Sequence, residues 1–71
     1  MSGRPVKRSL TLRGHRTSVS LEDEFWRAFR TIADEKNTPI NALAAEIDAT
    51  REVDTGLASA IRVFVLNHYR G

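Results

Sequence analysis

The chain has 71 residues and no cysteine, so one small domain at most is expected, with neither a disulfide framework nor a thiolate metal site to stabilise it. A chain this short buries only about 60% of the surface its unfolded form exposes, so self-association is the expected source of further stability. With 41% hydrophobic and 28% charged residues it reads as globular rather than disordered, and its net charge of +2 is unevenly spread. Residues 1–20 hold Arg4, Lys7, Arg8, Arg13 and Arg16 with no acid, and residues 21–54 hold all nine acids against four cations. Arg62 and Arg70 follow. A basic end of this kind suits nucleic acid. No apolar run approaches the ~20 residues of a membrane span. The basic start is not followed by the ~7–15 apolar residues of an export signal. The expectation is a cytoplasmic chain with no membrane contact.

Residues 1–8, with Gly3, Pro5 and no periodicity, are expected to form a flexible basic arm, leaving residues 9–71 as the folded domain. Residues 9–21 alternate apolar and polar, which is the period of a strand. Gly14 and His15 suit a two-residue type II′ turn. That turn would set Arg13 opposite Arg16, Leu12 opposite Thr17, Thr11 opposite Ser18 and Leu10 opposite Val19. One face would then carry Leu10, Leu12, Thr17 and Val19. The other would carry Ser9, Thr11, Arg13, Arg16, Ser18 and Ser20, a concentration of positive charge and hydroxyls that suits an anionic partner.

A helix is predicted over residues 22–37, opened by a capping box from Ser20 to Asp23 and by acids that favour the positive end of its dipole. Phe25, Phe29, Ile32 and Ala33 continue an apolar stripe from Leu21, with Trp26 at its edge. A second helix starts at Thr38 as N-cap and Pro39 as first helical residue, with Ile40, Leu43, Ala44 and Ile47 as its inner face. Asp54, Thr55 and Gly56 mark a break. The last helix, residues 57–69, is apolar nearly all round between Ile61 and Leu66. One side is therefore expected to pack within the chain and another against a second copy.

Nothing in the spacing points to catalysis. His15 and His68 have no partner at metal-ligand spacing, and the acids Glu22, Asp23 and Glu24 are accounted for as helix-start charges. The four glycines are too scattered for a phosphate-cradling loop. No catalytic residue, metal site or cofactor is expected, and the chain is not read as an enzyme. The one informative feature is the basic, Ser/Thr-rich strand region, because a two-stranded ribbon fits the DNA major groove and alternate side chains then meet base edges.

The run from Arg16 to Leu21 leading straight into a helix, followed by GLASAIRVFVLNHYR, resembles the ribbon-helix-helix DNA-binding proteins, the Arc/MetJ/CopG-like group. RGHRTSVSLE with a downstream SAIRVFVL is similar to a bacterial subgroup of small members. The resemblance implies a mostly α fold with an N-terminal strand or hairpin, assembled as an intertwined homodimer. Residues 38–52 would be an extra helix. It also implies a transcriptional regulator that reads double-stranded DNA through outward strand side chains. Those map to Arg16, Ser18 and Ser20, with Arg13 and Thr11 beside them. The start of the last helix, at Gly56, Leu57, Ala58 and Ser59, would hold a phosphate, and Arg4, Lys7 and Arg8 would add phosphate contacts. Val19, Leu21, Ile61, Phe64 and Val65 would form the dimer interface. The alternative function is a dimeric protein–protein interaction module, or an antitoxin-like protein, whose residues 38–54 dock a second protein without base readout.

Overall fold

In the computed structural model, which describes residues 3–71, five elements follow one another: β1 (Val6–Leu12), β2 (His15–Leu21), α1 (Asp23–Glu35), α2 (Ile40–Thr50) and α3 (Leu57–Arg70). The two strands form an antiparallel hairpin in which all seven residues of each are paired, from Val6 with Leu21 to Leu12 with His15. Arg13 and Gly14 make the turn with φ of 53° and 83°. Positive φ at both central residues is the type I′ geometry, whose twist matches that of the flanking strands. This corrects the predicted Gly14-His15 turn. The observed pairing sets Thr11, not Arg13, opposite Arg16, and so avoids a like-charged rung. The partner shifts by two residues, and side chains alternate with period two, so the predicted faces survive the change.

β1 also starts earlier than expected. Seven residues of β2 need seven partners, and Val6, Lys7 and Arg8 supply the last three. The predicted arm boundary after residue 8 therefore falls inside a strand, and residues 1 and 2 of that arm lie outside the described residues.

The helix ends are set by local chemistry. The N-cap of α1 is Glu22, in extended conformation and without a side-chain cap bond, so the capping box from Ser20 does not form. α1 closes on Asn37, at φ 52°. The Asn37 N–H donates to the Asp34 carbonyl (3.0 Å) and the Thr38 N–H to the Ala33 carbonyl (2.9 Å), the paired bonds of a Schellman closure. The Thr38 hydroxyl is occupied with the Lys36 carbonyl, and Pro39 rather than Thr38 is the N-cap of α2. In the loop before α3, Arg51 donates from Nε to Asp48 and from Nη1 to the Thr55 carbonyl, both at 2.7 Å.

The hairpin lies over the helices, with α2 packed on β1 and α3 on β2. Leu10, Leu12, Val19 and Leu21 point down onto Phe29, Ile32, Ala33, Leu43, Ala44, Ile47, Ile61 and Val65 to form one buried core. Phe64 sits edge-on to Phe29, ring centres 6.2 Å apart. Four of the five predicted interface residues, Val19, Leu21, Ile61 and Val65, are thus buried inside the single chain, and Phe64 is half-buried there. The interface assignment is corrected for Val19, Leu21, Ile61 and Val65, whose side chains are covered within the chain and are not available to a second copy, whereas Phe64 keeps part of its ring at the surface.

Candidate nucleic-acid interface

In an antiparallel hairpin, residues directly opposite one another share a face. Alternation therefore places Lys7, Ser9, Thr11, Arg16, Ser18 and Ser20 together, away from the helices, in the rungs Lys7–Ser20, Ser9–Ser18 and Thr11–Arg16. All six are exposed. Among the described residues their side chains make no hydrogen bond or ion pair within the chain, so each keeps its hydrogen-bonding capacity for a partner. Cations stand at the two ends of this face and four hydroxyls between them.

No acid occurs in either strand, and the first two of the three acids that follow, Glu22 and Asp23, are both neutralised. Glu22 is held by Arg62 at 2.9 Å, and Asp23 by Arg27 at 2.9 Å and Arg8 at 3.3 Å. A bond from its own backbone N–H, then the Arg62 hydrogen bond, keep the Glu22 carboxyl below the usual glutamate range. The field over the ribbon is left positive.

The predicted base-contact residues divide. Thr11, Arg16, Ser18 and Ser20 share the polar face, while Arg13 projects from the turn rather than from a strand rung. The Ser20 hydroxyl is not consumed by capping, although its carbonyl accepts a bond from Arg62 at 3.1 Å. The predicted phosphate contacts divide too. Arg4 is exposed just before β1, and Lys7 joins the polar face. Arg8 does not: it is opposite Val19, so it turns toward the helices, lies 5.4 Å over the Trp26 ring and pairs with Asp23. Its assignment as a phosphate contact is corrected. The signal was present in the sequence, since Arg8 has the same parity as Leu10 and Leu12. Ser9 holds its predicted place on this face, and Lys7 is the member that a strand starting at Ser9 leaves out.

Gly56, Leu57, Ala58 and Ser59 lie at the start of α3, where Gly56 is the N-cap without a side-chain bond and the first amides have no partner within the helix. A surface cleft of about 470 Å³ joins Leu57 to Arg13, His15 and Arg16 at the hairpin tip, to Asp48 of α2 and to Arg51 just after that helix. The ribbon tip and the α3 N-terminus thus face a common opening. Arg51, which ties Asp48 to the carbonyl just before α3, fixes that N-terminus in place. Nothing in its sequence surroundings pointed to this role. No group of three histidine, cysteine, aspartate or glutamate side chains comes together among the described residues, and none of their helices is long and apolar enough to cross a membrane.

A hairpin that leads directly into a helical layer, and that keeps a polar basic face outward, defines a β-ribbon on helices. The comparison with protein families gives the narrower result: a model described as a ribbon-helix-helix domain matches residues 5–69, and the chain belongs to that family. The match runs through the extra helix α2. Members are generally DNA-binding transcription regulators and typically not enzymes. No curated protein and no solved structure matches the chain.

Proposed function

We propose that this chain is a sequence-specific double-stranded DNA-binding protein, a transcriptional regulator that acts as a homodimer in the cytoplasm with the hairpin's polar face in the major groove. The observation that carries this reading is the outward face of six exposed donor side chains, unpaired among the described residues and free of carboxylates. Arg16 is the base reader of choice, since a guanidinium bonds guanine O6 and N7 together and such a contact is worth about 1–3 kcal/mol of discrimination. Ser9, Thr11, Ser18 and Ser20 supply shorter contacts, and Arg13 reaches from the turn. Lys7, Arg4 and the free amides of Leu57, Ala58 and Ser59, approached closely over Gly56, hold phosphates.

A two-fold protein demands a near-palindromic site. Selection from randomised duplexes tests this. The wild type is expected to enrich a near-palindrome, and Arg16→Ala to lose preference at two symmetric positions while keeping its circular dichroism. A wild type that enriches nothing, or a variant that enriches the same site, overturns direct readout.

A further inference from the structure

We propose that the groove between α2 and α3, on the flank of α2 turned away from the hairpin, docks a basic amphipathic helix of a second protein. The proposal adds a partner to the DNA reading above and does not depend on it.

α2 is used on two flanks. Along one lie Asn41, whose Oδ1 accepts the Thr11 N–H at 3.1 Å, and Ala45 and Asp48, which line the cleft at the hairpin tip. At about 3.6 residues per turn, Glu46 and Thr50 fall on the opposite flank. There two hollows of about 360 and 190 Å³ open between α2 and α3, and they share Ile47, Thr50 and Phe64, so they form one continuous groove. Leu43 and Ile47 make its floor. The α3 wall is Ala60, Val63, Phe64 and Asn67, which stand at i, i+3, i+4 and i+7 and share one stripe of that helix. Val63 is 54% exposed and Phe64 is half-buried, so the wall is both apolar and accessible. From Leu43 to Thr50 the groove follows α2 for about 10 Å, at about 1.5 Å per residue, which is the length of two turns of a docked helix. A helix laid in such a groove is held by apolar anchors at i, i+4 and i+7.

The rim sets the charge of the occupant. Glu46 and Glu52 border the groove, both are exposed, and neither side chain has a partner among the described residues. Asp54 adds an exposed acid in the loop beside Glu52. Arg51, the cation of the lining, does not offset them, because Asp48 and the Thr55 carbonyl already hold it. The groove is therefore apolar within and negative at its edge. That combination fits leucine-sized anchors flanked by lysine or arginine, with the anchors supplying affinity and the rim charges selecting the partner. It repels a phosphate backbone, so DNA is not the occupant. A duplex on the polar face of the hairpin leaves this flank of α2 open.

The test is an NMR titration of the full chain, without DNA, with a capped helical peptide of alanine and lysine that carries leucines at i, i+4 and i+7. Saturable binding is expected, with the shifts centred on Ile47, Thr50, Val63 and Phe64. Glu46→Lys combined with Glu52→Lys should weaken the lysine peptide several-fold. The same variant should bind an analogue with glutamate in place of lysine more tightly than the wild type does, a gain that only a folded variant can show. Asp34→Lys, on the outer face of α1, changes the net charge away from the groove and should leave binding unchanged. An absence of saturable binding, shifts centred elsewhere, or equal binding of the two peptides by the wild type overturns the proposal. So do groove signals that move with protein concentration before any peptide is added, since the occupant is then a second copy of this chain.

Discussion

Neighbouring cations in β1 have opposite environments because one side chain of each successive pair points up and the next points down. Lys7 is free on the polar face, whereas Arg8 is sandwiched between Asp23 and Trp26. In titrations of DNA binding against salt, Lys7→Ala should lower the logarithmic slope by about one, the signature of a lost phosphate contact, while Arg8→Met should leave it unchanged. A second residue-level consequence follows from Glu22. Its carboxyl is stabilised in the charged form by its own backbone N–H and by Arg62, so its folded-state pKa lies below the unfolded one. Such a group adds stability above its unfolded pKa, and that contribution fades as the pH falls through the folded value. Wild type should therefore be more stable than Glu22→Gln at neutral pH, and urea midpoints of the two should converge on acidification below the ordinary glutamate range.

The elements differ in how much they depend on one another. α1 carries the most strongly one-sided pattern, with Phe29 and Ile32 fully buried. Removing the Phe29 ring leaves a void among the hairpin, α1 and α3, at a cost of about 3–5 kcal/mol. A chain of this length has roughly 4–11 kcal/mol of stability in all, so Phe29→Ala should lose most of its cooperative urea transition. Phe64→Ala removes a half-buried ring from the edge of the same cluster and should be milder, a contrast that urea unfolding measures directly. The order and type of the elements were legible from periodicity, because a stripe of Phe25, Phe29 and Ile32 permits only a helix and the alternation of residues 9–21 only strands. Their ends were less so. Ser20 and Thr38 are good N-cap residues in isolation, yet Glu22 and Pro39 hold those positions, since Ser20 stays in the ladder opposite Lys7 and the Thr38 hydroxyl bonds back to Lys36.

For the molecule as a whole, α2 is what distinguishes this chain from a bare ribbon and two helices. It covers β1, closes its edge through Asn41 and, through Arg51, fixes the loop that launches α3 toward the hairpin tip. If the amides at the start of α3 hold phosphate, loosening that loop should weaken binding to every sequence without changing which sequence is preferred. Arg51→Ala is expected to lower affinity several-fold and equally for the selected site and a scrambled duplex. A loss confined to the selected site would instead place Arg51 in base recognition.

What the sequence determined by itself was the two faces of the hairpin. Parity assigns Arg16, Ser18 and Ser20 to one side and Val19 and Leu21 to the other whatever the turn, and a shift of two in pairing leaves that assignment intact. The rung partners were not determined, because Gly14 satisfies either a type II′ turn at residues 14–15 or a type I′ turn at residues 13–14. Only the full seven-residue pairing from Val6 to Leu21 selected the second. α3 shows the same division. Its apolar run announced a helix with two faces to cover, but which side the chain itself would cover depended on where β2, α1 and α2 came to rest. Those contacts buried Ile61 and Val65 and left Val63 and Leu66 outside. Local periodicity is a property of a segment and can be read from it, whereas the choice between two equally apolar sides is made only when the other elements are in place.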